Sequence, residues 1–355
     1  MYTPRVLRIG IFGASGYTGA ELLRIVARHP ELTLELATAD SQTGQRIADL
    51  YPSLAAAYGQ RRFEPTGAAS AEGLDIVFLG LPHGESQKLV PQLRGKVKHI
   101  VDLAADYRLK DAGLYPQWYG ETHHTPELLD EFVYGLPELF RSTLVGASAV
   151  AVPGCYVTAA SLALAPLVRN GVIEPTGIVV DAASGVSGAG RTMKPSTMFC
   201  AVDEDFTAYG LLDHRHTPEI EQNLSYGADG TALANKAQVL FTPHLAPMNR
   251  GILATCYARP VGTSPDTAQL LGLFRDTYHG EPFVVVDERS PSTKATLGSN
   301  STHLTVRFDE RTGWIMAIAA LDNLTKGASG QAVQCANLAT GLPETLGLDA
   351  AGLYP

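Results

Sequence analysis

The chain has 355 residues, of which 45% are hydrophobic and 18% are charged, and its formal net charge is −9. This length fits about two domains, and the composition excludes a disordered chain. An acidic chain with scattered basic residues argues against nucleic acid as a partner, although a few local arginines suffice to hold a small anionic molecule.

Cysteine usage and hydropathy indicate the compartment. The four cysteines are Cys155, Cys200, Cys256 and Cys335. They form no Cys-x-x-Cys pair and no zinc-ligand spacing with histidines, and scattered thiols of this kind are typical of a reducing cytoplasm. The N-terminus lacks a signal-peptide pattern, and no run of about 18 apolar residues is present. We therefore expect a cytoplasmic protein with no metal and no membrane partner.

The first third of the chain alternates between strand and helix patterns. The predicted strands span 6–12, 32–38, 75–81 and 99–103, and the predicted helices span 20–28 and 83–93. This alternation is typical of the α/β class and predicts a Rossmann-type, doubly wound parallel sheet.

The pattern changes after residue 154. A helix is predicted over 157–169, ending at Asn170-Gly171, and another over 328–339. Between them, runs that alternate apolar and polar residues predict a mixed or antiparallel sheet, as in an α+β domain. These predicted strands span 178–183, 238–242, 252–259, 283–286, 302–309 and 314–320. We expect a Rossmann domain formed by 1–154 with 325–355, and an α+β domain for catalysis and oligomerisation at 155–324.

A glycine-rich turn, Gly13 to Gly19, lies between the first predicted strand and the first predicted helix. Its GxxGxxG spacing allows a tight turn and close approach of the backbone to a dinucleotide pyrophosphate, next to a helix N-terminus. The alternative is an ordinary strand-to-helix turn. If the turn binds a dinucleotide, we expect the pyrophosphate to be lined by Gly13, Ser15, Gly16, Tyr17 and Thr18.

The end of the second predicted strand bears on the choice of nicotinamide cofactor. Asp40 fits the acidic residue that holds the ribose hydroxyls of NAD, whereas Ser41 and Arg46 fit the 2′-phosphate of NADP. The pattern leaves both open, and we favour NADP. The alternative for Arg46 is a solvated surface side chain.

Cys155 follows Pro153-Gly154 and lies at the start of a predicted helix. A thiol in this position has a lowered pKa and is partly thiolate at neutral pH, so it is a candidate nucleophile. The alternative is a buried structural cysteine, the role that we expect for Cys256 and Cys335.

A nucleophilic thiol needs a proton-transfer partner. His214 and His216 lie in a dense polar segment just before a predicted helix start at Pro218-Glu219, which makes them the strongest histidine candidates. The other histidines fit surface or satisfied positions better.

Seven segments match one known family in order along the chain. They are Gly13–Leu22, Val133–Glu138, Pro153–Tyr156, Gly185–Arg191, His214–Glu219, Pro243–Gly251 and Asp322–Gly327. Together they resemble the N-acetyl-gamma-glutamyl-phosphate reductase family over nearly the whole length. The resemblance implies a Rossmann domain, a second domain like that of aspartate-semialdehyde dehydrogenase, NADP as cofactor, and a homodimer or homotetramer.

The resemblance also implies a reaction. N-acetyl-L-glutamyl 5-phosphate, an intermediate of arginine biosynthesis, would be reduced by NADPH to the 5-semialdehyde through a Cys155 thioester, with His216 handling the proton. Asn323 and Gly327 would lie at the nicotinamide end. The phosphate and carboxylate of the substrate would be held by Arg108, Ser187, Arg191 and Arg250, and the alternative for each arginine is a structural ion pair.

Two departures from the family pattern surround the cysteine. Val152 stands where the family has Asn, and Val157 stands where it has a second Pro. The loss of the Asn amide puts one hydrogen bond to substrate in question. Aspartyl phosphate and a carrier-bound aminoadipyl phosphate remain alternative substrates, and a nicotinamide-binding sensor without catalysis is the alternative from another class.

Overall fold

The computed structural model describes residues 6–227, 231–262 and 265–354. They form two compact units. The first comprises Met1–Gly113, Glu121–Pro153 and Ala328–Leu348, and the second comprises Leu114–Gly120, Gly154–Gly327 and Asp349–Pro355. This division differs from the sequence-based one at residue 154 and in the segments 114–120, 325–327 and 349–354, which lie in the second unit.

Strands and helices are numbered in chain order over the described residues. The strands are β1 (Leu7–Phe12), β2 (Leu32–Thr38), β3 (Ile76–Leu79), β4 (His99–Asp102), β5 (Val133–Tyr134), β6 (Ala149–Ala151), β7 (Ile178–Gly185), β8 (Thr207–Ala208), β9 (Val239–Ala246), β10 (Ile252–Ala258), β11 (Val284–Val286), β12 (Thr302–Asp309) and β13 (Trp314–Leu321). The helices are α1 (Tyr17–Val26), α2 (Ile47–Leu50), α3 (Ala55–Tyr58), α4 (Glu85–Leu93), α5 (Tyr115–Tyr119), α6 (Pro137–Leu144), α7 (Cys155–Arg169), α8 (Phe199–Val202), α9 (Thr217–Leu224), α10 (Thr267–Thr277), α11 (Thr293–Thr296) and α12 (Gly330–Thr340).

The first unit is built on a six-stranded sheet in the order β2-β1-β3-β4-β6-β5. Its neighbouring strands pair in parallel, and β1 pairs with both β2 and β3. Apolar residues of β1, α1 and α12, among them Ile9, Leu22 and Val333, form one buried cluster. The predicted Rossmann-type sheet is confirmed. Its strand order reverses at β1, so the loop after β1 lies where such sheets bind dinucleotides.

The second unit contains a seven-stranded mixed sheet in the order β11-β12-β13-β10-β7-β9-β8. Its central pairs, β12–β13, β13–β10 and β10–β7, are antiparallel, whereas β7–β9 and β11–β12 are parallel. Burial alternates along β10, as expected for a sheet with one covered face. The long helix α7 contacts β10 and β13, and nearly all of its residues are buried. The predicted α+β architecture is confirmed.

Several predicted element boundaries were wrong for local reasons. Helix α7 begins at Cys155 rather than Val157, because the extended Gly154 precedes its first turn. Helix α1 likewise begins at Tyr17, directly after the extended Gly16. The last helix is preceded by a π-helical turn over Thr325–Ser329, a feature that apolar spacing does not indicate.

Candidate active site

The glycine-rich turn joins β1 to α1 in the first unit and has no room for a side chain at Gly13 or Gly19. Gly13 has φ +78°, and a Cβ built on it would lie 2.9 Å from the carbonyl carbon of Gly80. A Cβ on Gly19 would lie 2.5 Å from the Cα of Ala14. Gly16 precedes α1 in an extended conformation, and no side chain caps the helix. The backbone N–H groups that begin α1 are therefore the donors that this turn offers to an anion.

Two hydroxyl groups fasten the same turn. Tyr51 donates to the Ser15 carbonyl oxygen at 2.6 Å, and Ser329 donates to the Thr18 carbonyl oxygen at 2.8 Å. Ser15 is buried, whereas Tyr17 is 37% exposed. The predicted pyrophosphate-binding residues thus form one continuous, anchored segment.

The loop after β2 places the candidates for cofactor choice at the surface. Arg46 forms a bidentate ion pair with Asp49, at 2.7 Å from Nη2 and 3.0 Å from Nε, and this contact raises the pKa of Arg46. Asp40 and Ser41 are exposed in the preceding turn. Arg62, which the sequence analysis did not name, pairs with Arg46 across an antiparallel bridge. Arg46 and Arg62 therefore lie side by side at this loop, and Arg46 is already paired with the carboxylate of Asp49.

Arg108 belongs to the first unit and is nearly buried. Its Nη2 donates to the carbonyl oxygen of Leu103 at 2.7 Å. The neighbouring Asp102 is fully buried, where desolvation raises the pKa of its carboxyl group to about 7. Asp102 Oδ1 accepts from the hydroxyl of Ser86 and the N–H of Ala104. Arg108 is thus held by backbone at the carboxyl end of β4.

Cys155 is the first residue of α7 and is half-buried. A Cβ built on Gly154 would overlap the ring of His216, lying 2.6 Å from its Cδ2. Glu219 is fully buried, and its Oε1 accepts the N–H of Gly154 at 3.1 Å. The structure thus places the His216 ring against the residue that precedes Cys155, and it adds the buried carboxyl group of Glu219. We call Gly154, Cys155, His216, Glu219 and Gly327 the thiol cluster.

The two histidines of the polar segment have different surroundings. The N–H of His216 donates to Nδ1 of His214 at 3.2 Å, and the rings meet edge-on with centroids 4.7 Å apart. Desolvation by burial, assisted by Arg215, lowers the pKa of His214 to about 4. His214 is therefore neutral at physiological pH and orients its neighbour. This geometry favours His216 as the proton-transfer group.

Aromatic side chains pack around the histidines. Tyr156 donates its hydroxyl to the His244 carbonyl oxygen at 2.8 Å and accepts the Tyr209 hydroxyl at 3.2 Å. Burial raises the pKa of Tyr209 to about 12, so the phenol stays protonated. The Tyr156 ring lies edge-on to His214 and His216, with centroids 5.8 and 5.9 Å away. These tyrosines fix the environment of both imidazoles.

The remaining candidates of the second unit gather around the end of β13. The amide of Asn323 accepts from the N–H of Gly251 at 2.7 Å and donates to the hydroxyl of Ser187 at 2.9 Å. Arg250 forms an ion pair with Asp322 at 2.9 Å. Arg191, the remaining candidate, is half-buried beyond the 3₁₀ turn Val186–Ala189. Ser187, Arg250 and Asn323 therefore belong to one hydrogen-bonded region.

Gly327 is buried and lies against Cys155, the first residue of α7. A Cβ built on it would be 2.8 Å from the Cβ of Cys155. Only a glycine permits this approach, because real Cβ atoms do not come that close. The sequence indicates Gly327 only as a candidate for the nicotinamide end and does not predict this contact.

The two departures from the family pattern are both buried. Val152 packs in the apolar cluster of the first unit with Ala332 and Val333, and its N–H donates to the Asp102 carbonyl oxygen at 2.8 Å. Val157 is fully buried in the first turn of α7, which forms without the Pro. Both valines therefore act as core residues.

The sequence analysis did not single out Glu219, Tyr156 or Tyr209. Glu219 was noted only as part of a helix start, since an acidic residue in a first turn is ordinary. Cys256 and Cys335 are buried, as predicted. Within 6–227, 231–262 and 265–354, no group of three or more His, Cys, Asp or Glu side chains could hold a metal ion, and no helix is long and apolar enough to cross a membrane.

Two family models match the chain. The one described as "Semialdehyde dehydrogenase, NAD binding domain" matches residues 8–147, and the one described as "Semialdehyde dehydrogenase, dimerisation domain" matches residues 155–323. Among solved structures, aspartate semialdehyde dehydrogenase II of Vibrio cholerae, complexed with ASA, aligns with TM-score 0.69 and 17% identity over 95% of this chain and 99% of that chain. Aspartate semialdehyde dehydrogenase of Candida albicans with NADP aligns with TM-score 0.65 and 16% identity over 94% and 99%. These structures share the fold.

Sequence relatives define the family more narrowly. N-acetyl-gamma-glutamyl-phosphate reductases of Citrifermentans bemidjiense and Geobacter sulfurreducens are each 48% identical over 99% of this chain and 100% of their own length. That of Symbiobacterium thermophilum is 48% identical over 98% of this chain and 99% of its own. The chain therefore belongs to the N-acetyl-gamma-glutamyl-phosphate reductase family of oxidoreductases.

Proposed function

We propose that the chain reduces N-acetyl-L-glutamyl 5-phosphate to N-acetyl-L-glutamate 5-semialdehyde with NADPH, releasing phosphate, through a thioester on Cys155. The observation that carries the proposal is the placement of Cys155 at the first position of α7, beside a glycine against which the His216 ring packs. The names of relatives that are 48% identical over their full length support the substrate.

The cofactor site fits a dinucleotide. Gly13 and Gly19 leave a turn that a Cβ would fill, and α1 presents its first N–H groups there. We assign the pyrophosphate to Gly13–Thr18 and the 2′-phosphate of NADP to Ser41 and Arg46. Asn323 and Gly327 remain the candidates for the nicotinamide end. When bound, the cofactor supplies the hydride that reduces the acyl group.

The chain's own groups perform the remaining steps. The Cys155 thiolate attacks the acyl carbon, the carbon–oxygen bond to phosphate breaks, and phosphate leaves with the electron pair. The N–H groups of Tyr156 and Val157 have no acceptor inside α7 and can donate to the oxygen that becomes negative. His216 takes the proton of the Cys155 thiol and gives it to the departing phosphate. After reduction, the oxyanion on the former acyl carbon re-forms the carbonyl as the carbon–sulfur bond breaks, which releases the aldehyde and returns the electron pair to the thiolate.

Substrate anions need cationic or hydroxyl partners. We assign the phosphate and the carboxylate to Arg108, Ser187 and Arg191, because arginine holds both anions in a bidentate manner. Arg250, the fourth candidate, is already paired with Asp322. The hydrogen bond from Asn323 fixes Ser187, which supports its place in this set. The reaction would supply a semialdehyde for arginine biosynthesis.

We further propose a homodimer or homotetramer built through the second unit. The segment 193–212 exposes several large apolar side chains, an unusual density for a surface in contact only with water. They are Met193, Met198, Phe199, Phe206, Leu211 and Leu212. The family model that matches 155–323 is described as a dimerisation domain, so we assign this segment to a second copy of the chain. Light scattering on the purified protein checks the assignment, and a monomer at all concentrations would contradict it.

The proposed reaction is tested in reverse. The purified protein is mixed with NADP⁺, phosphate and N-acetylglutamate semialdehyde, and NADPH formation is followed. We expect phosphate-dependent turnover with NADP⁺ and much slower turnover with NAD⁺ or with aspartate semialdehyde. Faster turnover of aspartate semialdehyde would favour an aspartyl phosphate substrate. No turnover with any semialdehyde would favour a cofactor-binding sensor.

A further inference from the structure

Asp322 lies at the end of β13 and is fully buried, yet its carboxylate is surrounded by donors. Oδ2 accepts the N–H of Gly298 at 2.7 Å. Oδ1 accepts the N–H groups of Leu324 and Thr325 at 2.9 and 3.2 Å. The Nε of Arg250 lies 2.9 Å from Oδ2 and 3.1 Å from Oδ1. A buried carboxylate with this many donors is held in one orientation.

Arg250 connects this carboxylate to the chain that follows it. Its Nε contacts Asp322, and its Nη2 donates to Oγ1 of Thr325 at 2.9 Å. The guanidinium is planar, so both contacts fix the Asp322–Thr325 turn relative to the start of β10. The Nε and Nη2 atoms of Arg250 thus both donate to the protein itself.

The turn that is held in this way leads directly to the thiol. The N–H of Gly327 donates to the Asp322 carbonyl oxygen at 2.9 Å, a bond that spans five residues as in a π-helical turn. This bond brings Gly327 so close to Cys155 that an added Cβ would lie 2.8 Å from Cβ and 3.3 Å from Cα of the cysteine. The position of the first residue of α7 is therefore coupled to the turn that Asp322 organises.

We propose that Asp322 is a positioning residue for the nucleophile, acting through Arg250 and the Gly327 turn to fix Cys155 at the N-terminus of α7. Arg250 is then a positioning residue as well, and the substrate anions fall to the other candidates. The inference rests on the proposed role of Cys155 as nucleophile. A residue in this role changes the chemical step and the reactivity of the thiol, but changes substrate binding little.

The neighbouring Asn323 also links two segments of the chain through its side chain. Its side chain joins the N–H of Gly251 to the hydroxyl of Ser187, whereas Asp322 joins Arg250 to the Gly327 turn. Two adjacent side chains at the end of one strand therefore orient a substrate candidate and the nucleophile.

The experiment measures thiol reactivity directly. Asp322→Asn keeps the size of the side chain but places an amide donor among N–H donors, and Gly327→Ala inserts a methyl group against Cys155. In each variant, alkylation of Cys155 by iodoacetamide is followed against pH by mass spectrometry of its peptide, and kcat and KM are measured separately. Gly272→Ala is the control for Gly327→Ala, because a Cβ there meets nothing within 4 Å. Glu344→Gln is the control for Asp322→Asn, because it removes an ion pair with Arg141 in the first unit.

We expect kcat to fall by about tenfold or more in both test variants, with KM changed by less than about threefold. The pH midpoint of alkylation should rise, because a displaced thiolate loses the stabilisation of the helix N-terminus. The controls should match the wild type in both readouts. Arg250→Lys, which keeps the charge but not the planar fork, should likewise lower kcat and leave KM nearly unchanged.

A normal alkylation profile in folded Gly327→Ala would overturn the proposal, as would an unchanged kcat. A large rise of KM in Arg250→Lys with constant kcat would return Arg250 to the substrate site. If Asp322→Asn does not fold, Thr325→Val takes its place, since it removes only the hydroxyl that Arg250 contacts. Alkylation does not require reductase activity, so failure of the proposed function, seen as an active Cys155→Ser variant, is a separate result.

Discussion

Glycines shape both the dinucleotide-binding turn and the thiol cluster, but they make room for different groups. In the turn, Gly13 and Gly19 avoid backbone atoms of Gly80 and Ala14, a clash that no side-chain movement relieves. In the thiol cluster, Gly154 avoids the ring of His216, a side chain that can move. The first arrangement is required by the backbone of the loop, whereas the second makes room for the proposed proton-transfer group.

The two regions also differ in where their parts come from. The turn is continuous in sequence and offers backbone N–H groups at the start of α1. The thiol cluster combines Cys155 with His216, Glu219 and Gly327 from distant positions in the second unit. The turn takes anchoring hydrogen bonds from the distant Tyr51 and Ser329, whereas the thiol cluster takes its functional side chains themselves from separate elements.

The largest difference between the two regions is expected for substitutions of the histidines, which should lower kcat without affecting cofactor binding. His216→Asn should lower kcat by roughly 10²-fold or more with a smaller change in KM, because it removes the proposed proton-transfer group. His214→Asn should lower kcat less, since His214 is neutral and only accepts a hydrogen bond from the backbone N–H of His216. Steady-state kinetics of both variants decide this. Equal losses, or a larger loss at His214, would reverse the assignment. Neither variant should change the dissociation constant of NADPH.

Matched glycine substitutions sharpen the comparison. Gly154→Ala should lower kcat by about tenfold to a hundredfold by displacing His216, while the melting temperature changes little. Gly13→Ala should instead destabilise the protein, by about 1–2 kcal/mol for a positive φ alone, before the clash with Gly80 is counted. Calorimetry and kinetics on both variants test this. A destabilised Gly154→Ala with normal kcat per folded molecule would show that the glycine serves folding only.

The local turn could be predicted from the sequence, whereas the assembled thiol cluster could be predicted only in part. The glycine-rich turn was predicted at its correct place between β1 and α1, because glycine spacing and helix start are local properties. The approach of Gly327 to Cys155 was not, because a π-helical turn and a long-range contact leave no periodic pattern. Glu219 was overlooked since its helix position alone is unremarkable.

Val152 shows a third limit. From the sequence alone, valine at this position means that the amide found in the family, and any hydrogen bond it makes to substrate, is missing. The structure places it in the apolar cluster, so its environment explains the valine without reference to substrate. The place of Val152 three residues before Cys155 in the motif does not reveal that its side chain packs in this cluster.

A moderate effect is expected at the cofactor loop. Arg46→Ala should weaken the binding of NADPH by about 1.5–3 kcal/mol, which raises its dissociation constant roughly tenfold to 150-fold. The binding of NADH should change little, because only NADPH carries the 2′-phosphate. Fluorescence titration with both cofactors measures this, and NADH serves as the internal control. Equal weakening would show that Arg46 serves its ion pair with Asp49 and does not contact the phosphate.

The smallest catalytic effect is expected at Val152. Val152→Asn buries an amide in an apolar cluster and should destabilise the protein by about 1–3 kcal/mol. The value of kcat/KM per folded molecule should change by less than about tenfold, or 1.4 kcal/mol. Thermal denaturation and kinetics with N-acetyl-glutamyl phosphate check both values. A rise of much more than tenfold would instead mark Val152 as a determinant of a shifted substrate preference.

The most direct test of covalent catalysis is to trap the acyl group on Cys155. The wild type and Cys155→Ser are each mixed with NADP⁺ and N-acetylglutamate semialdehyde in the absence of phosphate, quenched in acid and analysed by peptide mass spectrometry. We predict one N-acetylglutamyl group on the peptide that begins α7 in the wild type, none in the serine variant, and loss of the group when phosphate is added before quenching. An unmodified Cys155 peptide, together with a serine variant that keeps a tenth or more of the wild-type kcat, would contradict the account.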